Sequence, residues 1–299
     1  MLAGMRLLSF YGSGGIHLGV VQGEEVADVT SSRPDLPADL STLLASDGLD
    51  LVRSVATTAP RVPLAGLRLA GPVPRPPKFL AIGLNYADHV AESTGVRGEK
   101  GAKPEFQLWF NKQSTCVIGH LEPIHVPRVS SVVDYEGELA FIIGRRCRHV
   151  AAAKAREVIA GYTIVDDVSV RDWQFRTPTM TMGKSFDTHG PMGPWMVTAD
   201  ELGDPHGLHL RTWVNGELRQ QATTDELIYN CWDMVEHLST AFTLEPGDVI
   251  STGTPSGVGI AMTPPQLLKA GDTVRIQIEG IGTLENPVIA EPESTTQPV

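Results

Sequence analysis

The sequence is short of cysteine. Its three, Cys116, Cys147 and Cys231, make neither an even framework nor a CxxC pair. That excludes a disulfide scaffold and points to free thiols in a reducing compartment, so a cytoplasmic protein is expected. Basic residues are outnumbered too: 24 Lys and Arg stand against 35 Asp and Glu, a formal net charge of -11. Attraction to phosphate backbones or anionic lipid scales with clustered cations, so neither nucleic acid nor membrane is expected as a partner. No apolar run approaches the roughly 18 residues of a spanning helix. The first twenty residues are broken by Tyr11-Gly12-Ser13-Gly14-Gly15 and hold no cleavage-like site, which reads as soluble and unexported. There is no HExxH zinc motif, no GK[ST] of a phosphate loop and no repeat at a fixed period.

What is present suits an ordinary globular chain: 299 residues, 41% of them hydrophobic, can bury a sizeable core. Leu7–Phe10, Ile16–Val21 and Val26–Val29, separated by glycine-bearing turns, predict a strand meander. Leu40–Ala59 has apolar residues at near-helical spacing and is interrupted at Asp47-Gly48, predicting one or two short helices. Gly71-Pro72-Val73-Pro74-Arg75-Pro76-Pro77 can sustain neither helix nor central strand, so a boundary is placed there. Beyond it the pattern predicts strands at Phe79–Gly83, Val132–Ile143, Gly161–Val170, Leu208–Val214, Val249–Thr252 and Val274–Ile278. Helices are expected at Tyr86–Glu92, Ala151–Ala160 and Thr224–Phe242. The result is an α+β chain, mainly β, with a small N-terminal α+β domain at 1–73, a larger domain at 74–289 and a disordered tail at 290–299 rich in Pro, Glu, Ser and Thr.

Chemistry concentrates in Val132–Ile143. A strand's period of two puts Asp134, Glu136 and Glu138 on one face and Tyr135, Leu139, Phe141 and Ile143 on the other. An ExE pair alone usually decorates a solvated face. Here the carboxylates run into a continuous apolar segment, where burying them without a compensating cation is costly. A second acidic point, Asp166-Asp167, interrupts another β-type run. Three convergent carboxylates make a hard oxygen site for Mg²⁺ or Mn²⁺, with Ca²⁺ a further candidate. Zinc fits less well, since His206 and His209 lie in an expected loop.

Five segments in order, Gly83–Glu92, Asp134–Leu139, Asp166–Gln174, Gly183–Thr188 and Leu244–Gly259, resemble the fumarylacetoacetate hydrolase family, and the match spans about Lys78 to Pro287. The resemblance implies a mixed β-roll C-terminal domain, with a homodimer as the assembly. It implies Glu136, Glu138 and Asp167 as metal ligands, although Asp166 stands where the family commonly has Asn and leaves open which aspartate is the ligand. It also implies catalytic roles for Lys184, His89 and Glu92. His89 and Glu92, three apart on an expected helix, can meet as a base and its orienter. Arg171 and Gln174, a helical turn apart, suit a carboxylate and a carbonyl oxygen. Gly253 and Thr254 would offer an N–H and a hydroxyl to the substrate carboxylate. Trp109, Phe110, Lys112 and Gln113 resemble a cavity-lining segment, although aromatics such as Trp109 and Phe110 more often belong to a core.

The implied activity is metal-dependent C–C bond hydrolysis of a small 2-oxo or 1,3-dicarbonyl carboxylic acid. Its rivals are decarboxylation of an oxaloacetate-like acid and isomerisation of an unsaturated dioate. A non-catalytic carboxylate-binding module stands outside that class, but fold stabilisation alone would need none of His89, Glu92, Gln174 and Lys184.

Overall fold

The structure, a computed structural model, describes residues 4–97 and 104–295. It is α+β and mainly β. A twelve-stranded sheet runs, edge to edge, through Arg61–Pro63, Glu25–Asp28, Gly15–Gln22, Arg6–Gly12, Gly190–Thr198, Ile159–Asp166, Gly137–Ile143, Val249–Ser251, Phe79–Gly83 and Leu108–Lys112, with two short strands attached at its sides. A five-stranded sheet built around His209–Val214, Thr273–Ile278 and Gly282–Ala290 and a two-stranded ribbon complete the architecture, and among the described residues no sheet closes into a barrel. Among the described residues no helix is long and apolar enough to cross a membrane. All three cysteines are free thiols, as expected.

The N-terminal meander forms as its turn residues predict, with Gly14 and Gly23 at positive φ in its two turns. Leu40–Ala45 and Leu49–Val55 are the two short helices, divided at Asp47, whose φ of 53° is left-handed. Leu7 pairs with Met196, and Leu40, Leu43 and Val52 share one apolar cluster with Ala140, Ile142 and Val249. Sequence on either side of the proline-rich connector therefore contributes to one sheet and one core.

Four expected elements differ from the observed ones. Val132–Ile143 is not one strand: Val133–Asp134 pairs with Ser169–Val170 in a separate ribbon, and the large-sheet strand begins only at Gly137. Gly161–Val170 likewise breaks after Asp166. The cause is a reciprocal link at the break, where the Glu136 N–H donates to Asp166 Oδ1 at 2.9 Å and the Asp167 N–H donates to the Glu136 carbonyl at 2.8 Å. Ala151–Ala160 is a run of 3₁₀ turns over Ala152–Val158, because Ile159 already pairs with Ile143 in the sheet. Thr224–Phe242 splits into a short turn and the helix Cys231–Ala241, whose start is fixed by an Asn230–Asp233 capping box. At the C-terminal end, Ala290 closes a strand and Glu293–Thr295 forms a turn, while 296–299 of the expected disordered tail lie outside the described residues.

Candidate active site

The two strand breaks create the site. Where the ladders of Gly137–Ile143 and Ile159–Asp166 stop, Glu136 and Asp167 turn inward beside Glu138, and ligand oxygens of these three lie within 4.8 Å of one another. All three are buried. Glu138 Oε2 accepts from Ser251 Oγ at 2.6 Å and from the Gly253 N–H at 2.9 Å. Gly253 has φ +93°, and a Cβ there would sit 2.9 Å from the Asn85 Cβ, so glycine is required for its N–H to reach the carboxylate. Asp166 does not join the triad: its Oδ1 holds the Glu136 N–H and its buried Oδ2 has no partner among the described residues.

Three buried cations face these acids. Lys184 Nζ bridges Glu136 Oε2 at 2.6 Å and Asp167 Oδ2 at 2.7 Å. Arg171 forks onto Asp134 Oδ2 through Nε and Nη2 at 2.9 and 2.8 Å, and its Nη1 reaches Glu136 Oε1 at 2.5 Å. The Asp134 carboxylate also accepts from the Gly259 and Ile260 N–H groups. Lys112 Nζ meets Asp167 Oδ1 at 2.7 Å. Lys184 is delivered by the short helix Thr181–Lys184, which packs tightly on Arg171–Gln174; a Cβ on Gly183 would lie 2.2 Å from the Gln174 backbone nitrogen.

The charges do not balance. Asp134, Glu136, Glu138, Asp166 and Asp167 share this interior with Lys112, Arg171 and Lys184, an excess of two formal negative charges. Burial pushes Glu136 up, but Lys184 and Arg171 outweigh it and hold its carboxyl below the usual range. Burial, with Asp167 and Glu136 as like-charged neighbours, pushes Glu138 well above that range. Burial also raises Asp166 to about 7. For Lys184 burial favours the neutral amine, and Asp167 and Glu136 reverse this and raise its pKa. An all-oxygen, buried set of convergent carboxylates fits a hard divalent ion.

Glu136 and Glu138 line the floor of a cleft, with Asp167 buried behind them. One wall is the helix Ala87–Arg97, which presents His89; its Nδ1 lies 3.2 Å from Glu92 Oε2, and Glu92 Oε1 accepts from the Gly257 N–H at 2.9 Å. His89 and Glu92 thus meet, and Glu92 ties the pair to a second loop. Gln174 Oε1 accepts from Arg171, while among the described residues its Nε2 meets only the Met180 sulfur, at 3.7 Å. Thr254 lines the cleft, donating to the Gly137 carbonyl at 3.0 Å and accepting from Gln220. Gly253 and Thr254, expected to meet a substrate carboxylate, therefore already bond to the strand that carries the acids. Arg171 is likewise held, by Asp134 and Glu136 rather than by Asp172 or Asp187. The remaining walls are apolar, among them Ile82, Leu84, Leu108, Phe110 and Ile260.

Sequence reasoning placed Lys112 only in a cavity-lining segment and passed over Ser251 and Asn85. Alternation along Leu108–Lys112 carries the signal for Lys112: Leu108 and Phe110 face the cleft and Lys112 follows them inward, while Trp109 turns to the core. Asn85 is buried and fully bonded, its Nδ2 donating to the Thr252 and Tyr229 carbonyls, so it staples the start of the His89 helix to the glycine-rich loop. His206, expected on a surface loop, accepts from the Cys231 N–H at the start of a helix and plays no part in the site.

The family model described as fumarylacetoacetate (FAA) hydrolase C-terminal matches residues 78–289. The mitochondrial oxaloacetate tautomerase fahd2 of Xenopus laevis is 36% identical over 294 residues, covering 95% of this chain and 90% of the relative. Maleylpyruvate hydrolase from Sphingobium sp. SYK-6, solved in complex with manganese(II) and pyruvate, superposes with a TM-score of 0.79 at 34% identity, covering 96% of this chain and 100% of that one. The 2-hydroxyhepta-2,4-diene-1,7-dioate isomerase of Mycobacterium marinum gives a TM-score of 0.75 at 34% identity, covering 97% and 100%.

Proposed function

Because this chain belongs to the fumarylacetoacetate hydrolase family, we propose that it is a divalent-metal-dependent enzyme hydrolysing a C–C bond in a 1,3-dicarbonyl, acylpyruvate-type carboxylic acid. The observation that carries this reading is a buried triad of convergent carboxylates, two of them lining the cleft, paired with a His89–Glu92 dyad on its wall. Mg²⁺ or Mn²⁺ held by Glu136, Glu138 and Asp167 would polarise the two oxygens of a 2-oxo acid, and Ca²⁺ would suit the same oxygens. The manganese and pyruvate of the maleylpyruvate hydrolase structure support that choice by analogy.

The side chains supply the rest. With Nδ1 turned to Glu92, the other ring nitrogen of His89 takes a proton from water, and the resulting hydroxide adds to the distal carbonyl carbon. The bond from that carbon to the neighbouring CH₂ breaks, and its electron pair stays on the CH₂ carbon as the enolate of the 2-oxo acid product. Returning the proton to that carbon yields two acids and balances the reaction. The Lys184 ammonium and the Gln174 amide stabilise negative charge as it develops. Arg171 and Thr254 anchor the substrate carboxylate, sharing donors that also hold protein partners. In this reading residues 74–289 are the catalytic domain beside a smaller domain at 1–73, and the enzyme works as a cytoplasmic homodimer.

The tautomerase and isomerase relatives favour a second reading, in which the same residues move a proton between carbon and oxygen and no water attacks. The test strips the protein with chelator and adds back Mg²⁺ or Mn²⁺. It then follows ultraviolet loss of enolised acylpyruvates, enol-to-keto conversion of oxaloacetate and release of carbon dioxide. Metal-restored loss of the diketone chromophore with two acid products is expected. Conversion of oxaloacetate without acid products would replace hydrolase by tautomerase, and carbon dioxide alone would point to decarboxylase.

A further inference from the structure

We propose that Lys112 is a positioning residue for the metal centre: it locks the Asp167 carboxylate and the Lys184 backbone to each other, and so sets the geometry in which the triad receives a cation. The inference rests on the metal reading given above.

Lys112 ends the strand Leu108–Lys112 and is buried, its side chain fully shielded from solvent. An ammonium carries three N–H donors and no acceptor. Lys112 Nζ has three oxygen acceptors: Asp167 Oδ1 at 2.7 Å, the Val168 carbonyl at 3.3 Å, and the Lys184 carbonyl. Every donor is therefore assigned, and a buried cation with three directed bonds has one orientation to occupy. The three acceptors come from two separate segments, the break after Ile159–Asp166 and the end of the helix Thr181–Lys184. Neither segment is fixed at this point by a continuing sheet ladder, because the ladder stops at Asp166. Lys112 replaces it. By holding one Asp167 oxygen it aims the other, which now meets Lys184 Nζ, into the triad. By holding the Lys184 carbonyl it fixes where that residue's side chain starts.

A charge argument separates positioning from simple electrostatics. A buried ammonium beside a ligand oxygen repels an incoming cation. If charge were all Lys112 contributed, removing it would tighten metal binding; if it positions Asp167, removing it loosens binding. The two accounts differ in sign.

The experiment titrates Mn²⁺ into chelator-stripped full-length protein by calorimetry, comparing wild type with Lys112→Gln, which keeps neutral N–H donors, and Lys112→Met, which fills the same space without them. Thermal melts in chelator report the fold independently. Folded variants are expected to bind Mn²⁺ about 10- to 100-fold more weakly, as when an outer partner of a metal ligand is removed. Adding Lys112→Gln to Asp167→Asn is expected to weaken binding no further, since the two act through one contact. At saturating Mn²⁺ the loss in Lys112→Gln should fall on kcat more than on KM, because a misplaced Lys184 affects the reacting state. Variants that bind Mn²⁺ as tightly as wild type, or more tightly, overturn the inference and leave the metal reading intact. If both variants unfold, Lys112 belongs to the fold alone and the inference also falls. If wild type itself binds no Mn²⁺, the metal reading fails and takes this inference with it.

Discussion

Two buried acidic centres in this molecule solve opposite problems. In the N-terminal meander, Asp28 accepts from the Ser31 N–H at 2.9 Å, from Ser31 Oγ at 2.6 Å and from His17 Nδ1 at 2.9 Å, while His17 Nε2 reaches the Ser13 carbonyl at 3.1 Å. One carboxylate caps the short helix Val29–Ser32 and pairs with one ring, and both of its oxygens are bonded. Around the candidate site five carboxylates meet three cations, Asp166 keeps an oxygen with no partner among the described residues, and Glu138 is pushed toward its neutral form. A carboxylate matched by its neighbours contributes stability. Like charges crowded in an interior cost stability unless a cation or a proton neutralises them, and the proposed metal would do so here.

Glu138→Gln should break that comparison most completely. It removes one of three convergent ligands, so Mn²⁺ binding is expected to fall by at least two orders of magnitude, with turnover lost alongside. Yet the same change relieves like-charge crowding, so in chelator the variant should melt at or above wild type, gaining on the order of 1 kcal/mol as removal of unbalanced buried charge commonly does. Calorimetric titration and a melt in chelator measure both. A variant less stable than wild type without metal would show that the cluster is balanced, contrary to the charge count. Wild type should in turn gain about 2.7 kcal/mol when Mn²⁺ is raised to a hundred times its Kd, by mass action on the native state. No gain would mean that the excess charge is not a metal site.

His89→Ala tests the other half of the cleft. Removing a positioned general base is expected to lower hydrolysis about 10²- to 10⁴-fold. Mn²⁺ affinity should stay near wild type, since His89 is not among the convergent ligands. Assaying the variant against oxaloacetate sharpens the result. Hydrolysis lost with decarboxylation spared supports activation of water by His89, whereas equal loss of both would end that assignment.

The difference between the two centres also explains how much could be read beforehand. The meander and its turns follow from local glycine placement and alternation, so their strands were legible in sequence. Period-two reasoning put Glu136 and Glu138 together, and Asp167 came by resemblance. What could not be read was the interruption of both strands, because it depends on Asp166 reaching a backbone N–H 30 residues away and on Arg171 reaching Asp134 across 37. Arg171 was read as a ligand for substrate because no local signal tells which acids it will meet. Lys112 lies 55 residues from Asp167, and a lysine ending a strand is ordinarily solvated. Long-range charge pairing, then, is where sequence reading stopped, and it is also what builds the site.

The smallest effect belongs to the balanced centre. Burial disfavours a charged His17, but its contacts with Asp28 and the Ser13 carbonyl together outweigh this and raise its pKa above 6.5. Burial likewise pushes Asp28 up, and the Ser31 and His17 bonds reverse this and lower its pKa below 3.8. A raised histidine contributes stability that is complete below its unfolded value and fades as pH climbs through the folded one; a lowered carboxylate contributes above its unfolded value and fades in acid. The pair should therefore stabilise most between about pH 4 and 6.5, the interval bounded by the two unfolded values. His17→Gln is expected to cost about 1 kcal/mol at pH 6, the size of a buried hydrogen-bonded contact, and less at pH 8. Activity at saturating metal should stay within twofold of wild type at both. Denaturant melts at the two pH values read the first expectation and turnover reads the second. A larger loss at pH 8 than at pH 6 would reverse the sign assigned to the pair, and a fall in turnover would show that the meander reaches the cleft through the core they share.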